Sequence, residues 1–391
     1  MFVKKLSEIA DIKTGGTPSR SRPEYWGGEI PWIKISNINA KHVTKFDETI
    51  TKLGLENSSA KIFEKGTILY TIFATLGRVG ILTFDAATNQ AIAGIKLIDD
   101  HISIDYLYYY LRSAEDSVKA IGNGAAQQNI NLGILKNFLI PVPPLEKQNN
   151  IVNSLETIGK GISQKKNQLS ILDELIKSRF IEMFGDPDAN PFDWEIVTIN
   201  DVCSSIVRGP FGSALKKEFF VPKSETTIKV YEQQHAIKKN DKLGTYYVTK
   251  EKYQSLKRFT CHEGDILMSC SGTMGELYQL PIGCEQGIIN QALCKFTLNQ
   301  KMLPIVFLES MKHVVDQIDK KGSGIQNIAA VSYVKSMKIC LPPIQIQKKF
   351  VSFYEQIDKS KFVVHSKYFL WEFLTLFSST MAYSSVVSIL A

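Results

Sequence analysis

"IPVPPLEKQNNIVNSLETIGK" runs from Ile140 to Lys160, and "ICLPPIQIQKKFVSFYEQIDK" runs from Ile339 to Lys359. Each phrase carries a Pro-Pro pair, a glutamine just beyond it, and then a proline-free helical pattern. The two lie about 199 residues apart, and nearly the same offset recurs elsewhere. "FEKGTILYTIFATLG" (Phe63–Gly77) matches "CHEGDILMSCSGTMG" (Cys261–Gly275). "NQAI" at Asn89 matches "NQAL" at Asn290, and "GNG" at Gly122 matches "GSG" at Gly322. Matches that keep one order and one offset mark a duplicated domain.

The segment after the first proline phrase has no proline until Gly185-Asp186-Pro187 stops it. In heptads, one seam position holds Leu155, Ile162, Leu169, Ile176 and Met183, and the other holds Ile151, Ile158, Lys165, Leu172 and Arg179. That is a coiled-coil pattern with two polar interruptions that can fix register. At 1.5 Å per residue the helix makes a rod of roughly 55–60 Å. The second copy places Phe350, Ile357, Val364 and Trp371 on one seam and Tyr354 and Tyr368 on the other, broken by Lys361 and Thr375. Two such helices in one chain, separated by a globular domain, pair most naturally antiparallel.

The remaining sequence reads as mixed α/β. "TILYTIFA", "GIKLI", "DILMSC" and "ALCKFTL" are short apolar runs bounded by Gly, Asn and Pro, and predict strands. "SIDYLYYYLRSAEDSVKAI" (Ser103–Ile121) and its counterpart "LPIVFLESMKHVVDQI" have helical spacing. The fold class expected is therefore α+β: two duplicated mixed α/β domains separated by two long antiparallel coiled-coil helices. Domain 1 is expected over 1–145, the first helix over 146–185, domain 2 over 186–345 and the second helix over 346–391.

The chain has 391 residues, 44% hydrophobic and 22% charged, which suits two or three folded domains rather than disorder. A net charge of +7, spread along the chain, permits nucleic acid without requiring it. The six cysteines all lie in the second half without CxxC spacing, as expected of buried thiols in a reducing compartment. The start lacks the apolar core of a signal peptide. The C-terminal "FLWEFLTLFSSTMAYSSVVSILA" is long enough to span a bilayer, but it is rich in Ser and Thr and has no basic cluster after it. A helix buried against a partner is expected there, with no membrane.

Catalytic signatures are missing. There is no GxxxxGK[ST] loop, no HExxH and no GxSxG elbow. The Asn/Asp-Pro-Pro-aromatic tetrapeptide of amino-methyltransferases is absent too. What the globular halves offer is chemistry for reading base edges, where Asn and Gln suit adenine and Arg and Lys suit guanine. "TGGTPSRSRPEYWGG" (Thr14–Gly28) is a glycine-rich loop with arginines and aromatics. Its counterpart "VRGPFGSALKK" (Val207–Lys217) carries Arg208, Gly209, Ser213, Lys216 and Lys217. "KISNI", with Lys34 and Asn37, corresponds to "EQQHAI", with Gln233, Gln234 and His235. The frame repeats while the polar residues change, as expected of two like domains reading different targets. The lysines and tyrosines of 238–258 suit phosphate contacts.

These features together resemble the specificity subunit of type I restriction-modification systems. The likeness rests on "ADIKTGGTPSRSRPEYWGGEIPWIKISNI" from Ala10, "ATLGRVGI" from Ala74 and "GNGAAQQNINLGILKNFLIPVPPLEKQNNIV" from Gly122, with similar matches in the second half. The resemblance implies two target recognition domains, each reading one half of a split double-stranded DNA sequence. It implies antiparallel spacer helices that set the gap and carry two methyltransferase subunits, through which two translocating endonuclease subunits join. No cofactor is then expected in this chain, because S-adenosylmethionine, ATP and Mg belong to the partners, and the complex is cytoplasmic. The family's glycine-rich loop near DNA carries over to Gly15, Gly16, Thr17, Ser19 and Arg20, and by position to Arg78, Gln127, Gln128 and Asn129. A coiled-coil scaffold that ignores DNA, or a self-contained modification enzyme with an unrecognised site, are the alternatives.

Overall fold

The computed structural model describes residues 2–114, 130–320 and 331–364, with side chains to 315 in the middle stretch. Two compact units result, 1–166 and 167–365, so the division falls inside the first long helix. Gln127, Gln128, Asn129, Tyr368 and Trp371 lie outside the described residues.

In the first unit, a five-stranded sheet runs in the order Ala10–Thr14, Ile92–Leu97, Ile68–Thr71, Val79–Leu82, His42–Val43. A four-stranded sheet runs Glu48–Ile50, Trp26–Ile33, Ala86–Thr88, Ile62–Phe63. A short ribbon pairs Phe2–Lys5 with Leu139–Val142. Ile68–Thr71 and Val79–Leu82 are buried at every residue, which explains their unbroken apolar runs. The helix Ile104–Ser113 adds Tyr106, Leu107, Tyr108 and Leu111 to the core.

The second unit repeats this plan with one strand fewer among the described residues. One sheet runs Cys203–Arg208, Leu293–Leu298, Ile266–Ser269, Leu277–Gln279, and the other runs Tyr247–Thr249, Thr227–Tyr231, Gly287–Ile289, Thr260–Cys261. Glu195–Thr198 pairs with Lys338–Leu341 as the ribbon. In both units the second sheet keeps one parallel pair, Trp26–Ile33 with Ala86–Thr88 and Thr227–Tyr231 with Gly287–Ile289. His42–Val43 has no counterpart strand.

The proline-glutamine phrase has the same physical use in both units. Gln148 is fully buried; its Oε1 accepts from Ser103 N–H at 2.8 Å, and its Nε2 donates to the carbonyls of His101 and Pro143, each at 2.8 Å. Gln347 is equally buried and repeats the set, accepting from Leu303 N–H at 2.9 Å and donating to Lys301 O at 3.0 Å and Pro342 O at 2.8 Å. Each glutamine clamps the first turn of a long helix to the loop that opens the domain's own helix. A buried amide that satisfies three backbone groups tolerates few replacements.

The first long helix spans Leu145–Phe184. Near its start, Ile151 packs with Val152 on the core of the first domain, and Lys41 Nζ meets Glu156 at 2.6 Å and Asp105 at 2.8 Å. Ile151 therefore touches the core of the first domain, and the stretch of the second helix that its seam position would face lies outside the described residues. Leu155, Ile158, Ile162, Leu169 and Leu172 are half-buried. Within the second unit, Ile176, Phe180 and Phe184 pack against Phe350, with Tyr354 and Ile357 beside them. Phe350 lies 5.4 Å from the Phe180 ring and 5.3 Å from that of Phe184, Phe353 lies under Arg179, and Lys361 pairs with Asp173. Partners therefore run in opposite directions along the two helices, and the second helix, 344–364, is antiparallel to the first over this stretch. The buried residues Ile176, Phe180 and Phe184 are spaced by four, and the heptad residue Met183 packs beside them. Val364 ends the described helix, half-buried. Among the described residues, no helix is long and apolar enough to cross a membrane.

Candidate nucleic-acid interface

Gly15 and Gly209 end equivalent strands, and packing explains both. A Cβ at Gly15 would lie 2.1 Å from Thr88 Oγ1, and one at Gly209 only 1.8 Å from the Asn290 carbonyl. The glycines let the loop cross the turn at Thr88–Asn89 or Asn290. Their close approach is to the protein's own chain. Gly16 likewise abuts Ser59 and Ala60. Those crossed turns are built alike: Asn89 Oδ1 accepts from Ala91 N–H at 3.1 Å, and Asn290 Oδ1 from Ala292 N–H at 3.0 Å. Each turn leaves a glutamine exposed, Gln90 and Gln291. Sequence reasoning used "NQA" only as a repeat marker, and the marker was the signal for these residues.

The first domain gathers its predicted residues on one surface. Thr17 donates to Gln90, and Ser19 accepts from Trp26 Nε1 at its carbonyl, 3.2 Å away. Trp32 Nε1 donates to Gly16 O at 3.1 Å, so two indoles pin the loop. The Arg20 guanidinium lies 3.6 Å over the Trp26 ring, and its Nη2 is 2.6 Å from Glu48 Oε2. Lys34 Nζ takes the other Glu48 oxygen at 2.7 Å, and Asn37 Nδ2 donates to Asp47 at 3.0 Å. Hydrogen bonds from Lys34 and then Arg20 hold the Glu48 carboxyl below the usual carboxylate range, and the Glu48 bond in turn raises Lys34. Trp26 is one of the aromatics of the glycine-rich loop, and Glu48 joins the site although no motif announced it. Arg78 sits on a different loop, exposed, its N–H donating to Thr71 Oγ1 at 2.9 Å.

The second domain builds the same turn with different chemistry. Asn37 Oδ1 accepts from Lys34 N–H at 2.9 Å; at the equivalent place His235 Nδ1 accepts from Glu232 N–H at 2.9 Å. His235 Nε2 donates to Leu243 O at 2.7 Å, the ring is fully buried, and burial lowers its pKa. It caps a turn and cannot touch a ligand from there, which corrects its place among the contacts. Arg208 is also buried, 6% exposed, with its guanidinium 5.5 Å from the Phe211 ring, and burial lowers its pKa. It too supports the loop rather than facing out. Gln234 donates to Glu232 at 2.8 Å, and Gln233 is half-buried near Gly272. Ser213 and Lys216 are exposed, the latter 3.8 Å from Glu218.

The lysines of 238–258 are partly spoken for. Lys239 pairs with Glu276 at 2.6 Å, and Lys252 lies 3.7 Å over Phe219. Where the first domain has Glu48, the second has Tyr246, stacked on Phe220 at 4.4 Å and 17°. The following residues fix that equivalence, because Thr51 and Thr249 both cap the next helix, accepting from Gly54 N–H at 3.0 Å and Lys252 N–H at 3.2 Å.

Comparisons with known proteins agree with the duplicated fold. The family described as type I restriction modification DNA specificity domain matches residues 1–171 and again 191–367. The MjaIX specificity subunit of Methanocaldococcus jannaschii is 34% identical over 204 residues, 51% of this chain and 46% of that protein. The EcoR124I/EcoR124II specificity subunit of Escherichia coli is 28% identical over 160 residues, 39% of each chain. In these alignments the chain spans less than half the length of the relative. The putative MjaX specificity subunit is 28% identical over 386 residues, 91% of this chain and 86% of that one. Among solved structures, the S subunit of a type I system from M. genitalium aligns over 98% of this chain and 94% of its own at TM-score 0.50 and 16% identity. A chain from a study of complex assembly and conformational transition in the type I system aligns over 98% and 97% at TM-score 0.62, also 16% identical. Those likenesses speak for the fold, and with the family match across both repeats the chain belongs to the type I restriction modification DNA specificity family.

Proposed function

We propose that this chain is the non-catalytic specificity subunit of a type I restriction-modification complex and reads a bipartite, gapped DNA target. Each globular domain reads one half-site. The two long helices act as antiparallel coiled-coil spacers that set the gap and carry two methyltransferase subunits, through which two endonuclease subunits join. Methyl transfer, ATP use and cleavage, with S-adenosylmethionine, ATP and Mg, fall to those partners.

The observation that carries this reading is the repeat itself. One backbone frame occurs twice with its clamps unchanged, while the polar surface differs: Arg20, Lys34 and Glu48 in one domain, Tyr246, Phe220 and Gln234 in the other. A scaffold indifferent to DNA has no need for two such faces on one frame. Lysines on both domains would add sequence-independent, salt-sensitive affinity, log K falling by about 0.9 per phosphate per log unit of salt. The test is selection from a random duplex library by the full chain co-purified with its methyltransferase. Two short, different half-sites at a fixed gap are expected. A folded complex that enriches nothing at low salt would leave the scaffold reading in place.

A further inference from the structure

Arg20 is held in an unusual way for a side chain that is 56% exposed. Trp26 lies beneath the guanidinium at 3.6 Å, and the Trp32 ring centre is 5.2 Å away. The two indoles meet edge to face, centroids 5.0 Å apart at 89°, and their N–H groups bind the backbone of the loop that carries Arg20. Glu48 grips Nη2 from one side and is itself steadied by Lys34. An arginine on a surface ordinarily samples many rotamers; this one is stacked, pinned and still presented to solvent. A planar fork so held suits bidentate hydrogen bonding to a flat acceptor edge. Guanine, with O6 and N7 side by side in the major groove, is the base that offers one. In the second domain the place of Glu48 is taken by Tyr246, which stacks on Phe220 and brings no carboxylate of its own.

Resting on the proposed DNA-reading function, we infer that Arg20 reads a guanine in the half-site of the first domain, and that Glu48 and Trp26 are its positioning residues. Glu48 sets the angle of the fork and Trp26 sets its plane. The half-site of the second domain receives no such contact from the matching position.

The experiment uses the full chain in its complex and compares the parent with Arg20→Lys and Glu48→Gln in duplex-library selection. Competition binding follows with 7-deazaguanine placed at the guanine, which removes N7 and leaves pairing intact. Arg20→Lys is expected to lose discrimination at one base pair of one half-site, on the order of tenfold to a hundredfold. Glu48→Gln should weaken preference at that same base pair, with the other half-site unchanged in both variants. The deaza duplex should bind the parent about tenfold worse and Arg20→Lys no worse than its own guanine control. Equal weakening on all sequences would make Arg20 a phosphate anchor and overturn the inference while the gapped motif stands. Unaltered base preference in either variant, or deaza insensitivity of the parent, would overturn it as well. A parent that enriches no motif would bring down the proposed function itself, and this inference with it.

Discussion

Turning Gln148 into glutamate changes no shape and inverts one half of a buried clamp. In the native side chain Nε2 donates to His101 O and Pro143 O, both at 2.8 Å, from a fully buried position. In Gln148→Glu an oxygen carrying negative charge faces those two carbonyls. Two hydrogen bonds are lost, and a buried acceptor at Pro143 and a part-buried one at His101 are left without this donor, the buried one at a cost of about 1–3 kcal/mol. A charge placed where only acceptors surround it adds to that, or the carboxyl protonates at a further cost. The loss should be at least about 3 kcal/mol, which for a unit of this size lowers the melting temperature by roughly 6–12 °C. Because the contacts of Gln347 repeat those of Gln148, Gln347→Glu should produce a similar loss in the second unit. The assay is thermal unfolding followed by circular dichroism, with hydrogen exchange at Ser103 and Leu303 amides to show which clamp opened. Shifts under about 2 °C, or exchange that rises equally in both halves for one substitution, would refute the reasoning.

Further outcomes follow from two buried titratable side chains, Lys295 and His235. Lys295 is 3.1 Å from Asp265, with side chains 8% and 4% exposed, and Asp265 also accepts from His262 N–H. Lys295→Met strands that carboxylate and should cost about 3–5 kcal/mol, measured by urea unfolding, whereas replacing both partners with apolar residues should recover much of it. His235→Ala removes bonds to Glu232 N–H and Leu243 O and should cost about 2–4 kcal/mol, while His235→Asn, which restores the cap that Asn37 makes, should cost less. The folded His235 is held below the free imidazole value of about 6.5, so below that pH the unfolded chain binds more protons. Its contribution to stability is therefore present above about pH 6.5 and lost as pH falls from there toward the folded pKa. Urea midpoints taken across that window should drop in the parent and stay flatter in His235→Asn.

Repetition made the architecture legible before any coordinates. Two proline-glutamine phrases, two apolar runs such as Ile68–Thr71 and Ile266–Ser269, and two long proline-free segments are local patterns, and hydrophobic periodicity reports them directly. A coiled-coil seam was legible only in part. Ile176, Phe350, Tyr354 and Ile357 do meet, but Phe180 and Phe184 were not on the heptad, and Ile151 packs on its own domain. Heptad counting cannot tell a partner helix from a domain core, and at Ile151 and Val152 the core of the first domain is what the described residues place there.

The candidate site divides along the same line. Composition singled out the loop from Thr14 to Gly28 and the paired turns at Lys34 and Glu232, because small, polar, basic and aromatic residues cluster there in sequence, and the family resemblance narrowed the loop to Gly15–Arg20. Which of those side chains face outward is a tertiary matter. Arg208 and His235 read as contacts because their type suits a ligand, yet the fold uses them inside, and burial is set by neighbours far along the chain, such as Leu243 for His235. Glu48 went unnoticed for the opposite reason: a lone carboxylate gains meaning only when a strand pairing brings it to Arg20. The sequence by itself determined that one frame is used twice and that its polar residues differ. Only the folded chain decided which of them a target could reach, because exposure is a property of packing and not of residue type.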